Sequence, residues 1–356
     1  MNKDKRPAMK HRARIADVAS LAGVSVATVS RTLSNPDSVK PATRERVQRA
    51  IDELNYFMDG SARALASGQG HTVGMVVPTL DNSIFALAVQ GLQTTLAAHG
   101  YQLLIAAHEY NLETEAQQVR ALLETRIDAL VLVGTHHAET TWDLVRRSRT
   151  PLLVAWATHE SYPSVAFDNR LIGQLAAEHL VALGHRQFGM ISGYTRHNDR
   201  ARQRAEGFIN TLQRNDIAFD KRNLIEQPFG FAGGRSGWAR LMQLPVPPTA
   251  IFCGNDVLAM GCMFEAQKHG VQLPRDLSIV GCDNLPIVSH LPPGLTTVQL
   301  PTYELGIECA HSILEWIEKD AQPVSVCLDI ELIVRGTTSQ PPEVPIAISA
   351  NKSKSG

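Results

Sequence analysis

The chain has 356 residues, 44% hydrophobic and 19% charged, with 25 glycines and 19 prolines spread along it; this excludes disordered, collagen-like and purely coiled-coil architectures and predicts two or three domains with self-sufficient cores. The net charge of −1 is unevenly divided, because residues 1–49 hold eleven lysines and arginines against four acids, a balance of +7 that leaves −8 on the rest, so a basic head suited to a polyanion precedes a body with another task. No apolar run approaches the roughly 20 residues of a membrane span, and the start MNKDKRPAMKHRAR lacks the apolar stretch of a secretory signal, which predicts a cytoplasmic protein with no membrane partner.

Ile15, Val18, Ala19 and Ala22 follow the rhythm of a short amphipathic helix that Gly23 ends. Ser25 can cap a second helix, with Val26, Val29 and Leu33 available to face the first and Asn35-Pro36 closing it. Pro41 opens a third, with Val47, Ala50, Ile51 and Leu54 on one side and Arg44, Arg46 and Arg49 free for water or phosphate. Two short helices joined by a glycine turn and braced by a third make an all-α helix-turn-helix head over residues 1–57, whose second helix would enter the major groove. Any small three-helix unit shows this pattern, so it leaves the DNA reading open. On the second helix the exposed candidates are Ser25, Ala27, Thr28, Ser30 and Arg31.

The wording of the run goes further. IADVASLAGVSVATVSRTLSNPDSVKPATRERVQRAIDELNY, through its spacing of DVA, AGVS, TVSR, TRERV and LNY, resembles the DNA-binding head of the lactose-repressor/galactose-repressor (LacI/GalR) family. The resemblance implies that Val26 and Ala27 occupy the base-reading positions, that Thr28, Ser30 and Arg31 meet phosphates or bases, and that Ser25 and Asn35 belong to the same DNA face. Relatives usually place Ser or Thr before the first helix, whereas this chain has Arg14, which leaves that cap open and offers a phosphate contact instead. Residues 58–70 include the Ala-rich stretch Asp59–Gly68, too short to be a stable helix alone. By resemblance it is a hinge helix that orders on DNA, with Leu65 as an apolar wedge in the minor groove; the alternative is a plain linker.

From His71 onward, apolar runs alternate with amphipathic stretches: Val73–Val77, Leu103–Ala106, Ala129–Val133, Leu152–Trp156, Val165–Phe167, Phe188–Ile191, Ala250–Cys253 and Ser278–Gly281. This pattern predicts an α/β body of two doubly wound parallel-sheet halves with a cleft between them. The family's body is of periplasmic-binding-protein type, so residues 71–340 would bind an effector and dimerise. The chain would cross three times between an N-terminal half of about 71–165 and 300–322 and a C-terminal half of about 166–299 and 323–340. The stretch through Tyr303, Gly306, Ala310, Ile313 and Ile317 is then a helix returning to the first half.

Ligands of open α/β sheets sit at the carboxyl ends of the strands, which draws attention to Asp81, Asn82 and Phe85, to Asn255-Asp256, and to Asp283-Asn284. Carboxylate, amide and guanidinium groups beside an aromatic face suit a polyhydroxy ligand. Each residue alone is equally a helix cap or turn. By resemblance, NDRARQRAEGF puts the effector-binding arginine at Arg204 with Asn198 near the pocket, GND and GCDN supply Asn255 and Asp283, and Phe229 falls where relatives carry an aromatic lid. Trp156 stands where several relatives have Asp, either stacking on a sugar or filling the core. That loss, with Arg204 kept and Arg196, Arg200 and Arg202 nearby, leans toward a sugar acid.

The five cysteines read as buried free thiols, and His136-His137 has no third ligand in sight, so neither disulfide nor metal is expected. An enzyme is disfavoured by the absence of Gly-x-Gly-x-x-Gly after a strand, of a phosphate loop and of HExxH; Gly230–Gly237 has the wrong glycine spacing and reads as the flexible start of a helix. An exported solute receptor would need a signal peptide and no DNA-binding head. The tail, SQPPEVPIAISANKSKSG after Thr338, reads as disordered and has no heptads for tetramer formation. The whole predicts a homodimeric regulator on a pseudo-palindromic operator, a repressor of sugar or sugar-acid catabolism with no cofactor beyond its effector. A purine effector, and activation or corepression in place of induction, stay open.

Overall fold

The computed structural model describes residues 13–57 and 70–343, so Leu65 and nearly all of the expected hinge lie outside the described residues. The chain divides into two compact units, one ending at His71 and one beginning at Thr72.

The first unit contains α1 (Ile15–Ala22), α2 (Val26–Ser34) and α3 (Pro41–Leu54). Val18, Ala19, Ala22, Val29, Val47 and Ala50 form its core, flanked by Ile15, Leu33, Ile51, Leu54 and Tyr56. Gly23 takes φ 63° to end α1 while the Val24 amide donates back to the Ala19 carbonyl at 3.0 Å, a left-handed turn that a side chain would strain. The open question of the first cap has a simple answer: the Asp17 carboxylate accepts from the Arg14 backbone amide at 2.8 Å. Val26, expected against α1, is instead 45% exposed, because as the first residue of α2 it lies a turn away from the buried Val29.

The second unit opens with β1 (Thr72–Val77), α4 (Ser83–Ala98), β2 (Gln102–Ala107), α5 (Leu112–Glu124), β3 (Ala129–Val133), α6 (Glu139–Ser148), β4 (Leu152–Ala155) and β5 (Ser164–Ala166). It continues with α7 (Asn169–Ala182), β6 (Phe188–Ser192), α8 (Asp199–Arg214), β7 (Leu224–Glu226), α9 (Phe231–Met242), β8 (Ala250–Cys253), α10 (Asp256–Lys268) and β9 (Ser278–Asp283). Last come β10 (Thr296–Gln299), α11 (Thr302–Lys319), β11 (Val326–Cys327) and β12 (Glu331–Ile333). The strands form two six-stranded sheets, β11-β5-β4-β3-β1-β2 and β12-β10-β9-β8-β6-β7, parallel throughout except for β12 against β10.

Four expectations are corrected. Val326–Cys327 pairs with β5 in the first sheet, so the last crossing falls between β11 and β12, later than the boundary at 323. Cys327 is exposed, unlike the other four thiols, because β11 is a two-residue edge strand. β2 is the opposite edge, and Leu104 and Ile105 are more than one third exposed where an unbroken apolar run reads as covered on both faces. The tail does not begin at Thr338: Ser339 donates from its amide to the Ser278 hydroxyl at 3.1 Å, and its carbonyl accepts from His185 Nε2 at 3.0 Å.

Glycines set the spacing of the helices. A Cβ on Gly173 would lie 2.0 Å from the Arg204 carbonyl and one on Gly207 2.0 Å from that of Arg170, so α7 and α8 touch backbone to backbone. Gly91 with Gly306 joins α4 to α11 in the same way, and Gly234 with Gly261 joins α9 to α10. The glycine-rich stretch at 230–237 is therefore a buried packing face and not a flexible helix start: Gly233, Gly234 and Gly237 are all buried.

Candidate functional site

On the head, Ser25 uses its hydroxyl to cap α2, accepting from the Thr28 amide at 3.1 Å and pairing with the Thr28 hydroxyl at 2.9 Å. Arg14, Val26, Ala27, Arg31 and Asn35 are exposed, and Thr28 and Ser30 half-buried. Asn35 serves the backbone too, its amide donating to the Arg31 carbonyl at 2.8 Å to close α2. The start of α2 thus presents small side chains followed by one free guanidinium, a surface that permits close approach to a groove floor.

In the body, the carboxyl ends of the strands converge on an inner chamber of about 30 Å³ lined by Phe85, Tyr110, Trp156, Asn198, Arg200, Arg204, Phe229, Asn255 and Asp283, with Asn82, Ile84 and Ala201. Seven of the eight effector residues expected from the sequence meet there. The eighth, Asp81, is exposed and lines an outer cleft of about 1100 Å³ that shares Asn82, Tyr110, Asn198, Phe229 and Asn255 with the chamber.

The local fold explains how these side chains are held and what they leave unused. Asn198 and Asn255 cap α8 and α10 through their carbonyl oxygens, accepting from the Ala201 amide at 3.2 Å and the Leu258 amide at 2.8 Å. Cap and ligand readings are compatible, because the Asn255 amide nitrogen remains buried without a hydrogen-bond partner. Arg204, 7% exposed, donates from Nε to Asn169 Oδ1 at 3.2 Å and from Nη1 to the Gly254 carbonyl at 2.7 Å. Asn169 in turn donates to the Trp156 carbonyl at 2.8 Å. No carboxylate lies within ion-pair distance of Arg204 among the described residues.

Trp156 sits at φ 66° and is 1% exposed, edge-on to Phe85 with ring centres 5.2 Å apart. It fills the core with its ring, yet its indole N–H has no acceptor. Neither carboxylate oxygen of Asp283 makes a hydrogen bond of good geometry. Burial, and next the neighbouring Asp256, push its carboxyl well above the ordinary range, against the pull of Arg204. Asp256 belongs to the scaffold: it accepts from the Thr297 hydroxyl at 2.6 Å and the Leu285 amide at 2.8 Å, and burial raises its pKa to about 7. Unpaired buried donors and acceptors cost roughly 1–3 kcal/mol each, and those of Asp283, Asn255 and Trp156 line one chamber while others, on His108, Ser164, Ser192 and Trp238, lie elsewhere.

Sequence reasoning missed Tyr110 and left Arg200 as one of several nearby arginines. Tyr110 stacks on Phe229 across the cleft, ring centres 6.0 Å apart, and follows β2 at positive φ, a signal only in retrospect. Arg200 donates to the Val133 carbonyl at 3.2 Å and to Asp199 at 2.9 Å, and Asp199 accepts from the Thr135 amide and hydroxyl, both at 2.9 Å. Together with His136 Nε2 against His197 Nδ1 at 3.1 Å, these bonds tie the two lobes along one side of the cleft. His136-His137 therefore has a structural use. His137 reaches the buried Glu115 at 2.9 Å and the Gly134 carbonyl at 2.9 Å. Of the other arginines, Arg196 lines the outer cleft, and Arg202 donates to the Thr195 carbonyl at 3.3 Å.

A helix-turn-helix head and a two-lobed parallel-sheet body with a polar chamber in its cleft define a transcriptional regulator with a ligand-sensing body. Residues 14–59 match the model of the bacterial regulatory proteins of the lacI family, and residues 70–335 match that of the periplasmic binding proteins and sugar binding domain of the LacI family. The chain belongs to the LacI family, whose members are DNA-binding transcriptional regulators and not enzymes. It is 33% identical to the HTH-type transcriptional repressor CytR of Escherichia coli K12 over 329 residues, covering 92% of this chain and 96% of that one. It is 31% identical to the ribose operon repressor of Haemophilus influenzae, covering 86% and 92%. Among solved structures, the lac repressor dimer bound to operator and the anti-inducer ONPF superposes with a TM-score of 0.81 at 27% identity, covering 92% of this chain and all of that one. No helix among the described residues is long and apolar enough to cross a membrane.

Proposed function

We propose that the cleft binds a small polyhydroxylated effector, a sugar or sugar acid, and that its occupancy sets the affinity of the head for operator DNA. The carrying observation is the cluster of buried unpaired groups on Asp283, Asn255 and Trp156, because a hydroxyl both donates and accepts and can satisfy all three kinds. Arg204, buried without a carboxylate partner beside an Asp283 whose carboxyl burial pushes upward, favours a ligand that brings its own negative charge. A purine is the second reading, favoured by the aromatic walls Phe85, Tyr110 and Phe229.

On this reading the protein is a cytoplasmic homodimeric repressor of carbohydrate or sugar-acid catabolism genes. Val26 and Ala27 read bases through apolar contact, Arg14, Thr28, Ser30 and Arg31 meet phosphates or base edges, Ser25 and Asn35 hold the helix that presents them, and Leu65 wedges the minor groove. The exposed apolar edge at Leu104 and Ile105 suits cover by a second copy. The test is thermal stabilisation of the full-length protein by hexoses, pentoses, sugar acids, sugar phosphates and purines, with Arg204→Ala as control. A stabilising compound that fails on Arg204→Ala and also changes operator affinity is expected; stabilisation that survives in the variant would place the effector elsewhere.

A further inference from the structure

The segment that follows β3 joins the two lobes. Val133, Thr135 and His136 are bonded across the cleft to Arg200, Asp199 and His197. His137, next in line, turns back into its own lobe toward Glu115 on α5. Its Nδ1 lies 2.9 Å from Glu115 Oε2 and its Nε2 2.9 Å from the Gly134 carbonyl. A carbonyl only accepts, and so does a carboxylate, so both ring nitrogens must carry hydrogen for both contacts to be bonds.

Glu115 is 1% exposed, and among the described residues it has no lysine or arginine within ion-pair distance. Its partners are His137, the Thr141 hydroxyl at 3.0 Å and, at 3.5 Å, His108 Nε2. Burial pushes its carboxyl upward, but the hydrogen bond and charge of His137, with smaller help from His108 and Thr141, outweigh this and hold it below the ordinary carboxylate range. Burial keeps His108 below the ordinary histidine value against the pull of Glu115, and its Nδ1 has no partner; the compensating proton therefore belongs on His137. The other charged and titratable groups around this pair are engaged elsewhere. Arg200 pairs with Asp199, His136 faces His197, and Glu139, Asp143 and Arg146 of α6 pair with one another on the exposed side. His159, with Glu160 beside it, is separated from His137 by the Trp142 ring, whose centre lies 5.0 Å from one and 5.2 Å from the other.

We propose that His137 is an imidazolium held by Glu115 and the Gly134 carbonyl, and that its second proton is a pH-sensitive lock on the contact between the lobes. When that proton leaves, one ring nitrogen turns a lone pair on an acceptor 2.9 Å away, and Glu115 stays buried without a counter-charge. Residues 134–137 then let go of α5, and the bonds from Thr135 to Asp199 loosen with them. The stabilisation is complete below about pH 6.5, where an unfolded histidine is protonated too, and is lost as pH rises and the native ring gives up its proton. The lock is independent of what the cleft binds.

The experiment compares the full-length parent with Glu115→Gln, whose carboxamide oxygen keeps the Thr141 bond while its NH₂ donates to Nδ1 of a neutral ring, so that the contacts persist without the extra proton. NMR of ¹⁵N-histidine-labelled protein reads the ring nitrogens, the His137 signals being those lost in His137→Gln. Calorimetric melts and hydrogen exchange of the peptide carrying Thr135 follow both proteins from about pH 6.5 to about pH 9. Two protonated ring nitrogens on His137 are expected in the parent at the lower pH. The parent's Tm should fall about 3–6 °C further than that of Glu115→Gln for each pH unit over which the proton leaves. Thr135 exchange should be equal in the two at low pH and roughly tenfold or more faster in the parent at high pH. A ring with one protonated nitrogen at the lower pH overturns the imidazolium, and the parent alone decides this should the variant not fold. Melts that track one another across the range, or Thr135 exchange that follows pH equally in both proteins, overturn the lock.

Discussion

Replacing Asp283 by Asn separates what this carboxyl does for the ligand from what it costs the fold. The residue is 5% exposed, neither oxygen makes a hydrogen bond of good geometry, and its carboxyl is pushed up by burial and by Asp256, whose own pKa burial raises to about 7. A raised folded pKa means that the native state holds a proton the unfolded chain releases near pH 4. That stabilisation is complete below pH 4 and is lost as pH rises through the folded values. Each pH unit in that window costs about 1.4 kcal/mol per group. Asp283→Asn removes one such group. With roughly 2–4 °C of Tm per kcal/mol in a domain of this size, the effector-free variant should melt several degrees above the parent at pH 7.5 and together with it at pH 4. Effector affinity should fall about 10–10²-fold, since Asn keeps one acceptor oxygen and loses the other, and one hydrogen bond to a charged group contributes roughly 1.5–3 kcal/mol. Calorimetric melts across pH, with titration of the stabilising compound, measure both. A variant that is less stable than the parent at pH 7.5, or that binds effector within threefold of it, would refute the reasoning.

Gly173→Ala places a Cβ 2.0 Å from the Arg204 carbonyl and 2.5 Å from the Phe208 amide nitrogen, so α7 and α8 must part. The expected cost is about 1–3 kcal/mol, seen as a Tm several degrees lower, together with weaker effector binding as Arg204 moves; an unchanged Tm would show that the helices do not need that contact distance. Arg31→Ala should weaken operator binding by roughly 1–3 kcal/mol and, for a phosphate contact, flatten the logarithmic salt dependence by about one unit. Effector affinity should stay the same, and undiminished operator affinity would move the recognition surface off α2.

The head was largely legible because its information is local. Apolar spacing, Gly23, Ser25 and Pro41 act within a few residues of themselves, so three helices and their shared core follow from short-range chemistry. Val26 was ambiguous for the same reason. A residue at a helix start satisfies both a core pattern and a surface one, and only packing chose between them. The cleft was legible through a different regularity: polar residues directly after apolar strands stand at the carboxyl ends of a parallel sheet. Asn82, Asn255 and Asp283 could be named from it, whereas Asn198, Arg204 and Phe229 were named from the family resemblance.

Other decisions belonged to the tertiary structure. Tyr110 and Arg200 enter the chamber because strands distant in sequence are neighbours in space, and neither carries a local mark of that. Trp156 proved to be both core filler and chamber wall, since a ring can be buried while one edge still faces a polar space. The paired glycines looked like flexibility in one dimension and became contact points when helices from separate βα units met. Val326–Cys327 joined the first sheet because an edge strand goes where an unpaired edge is available, which composition does not encode. Sequence alone determined which segments become helices and strands and which polar groups end them, because torsional preference and side-chain pattern act along the chain. The folded structure decided which of those groups remain buried without a partner, because that depends on what the rest of the molecule brings within 3 Å of them.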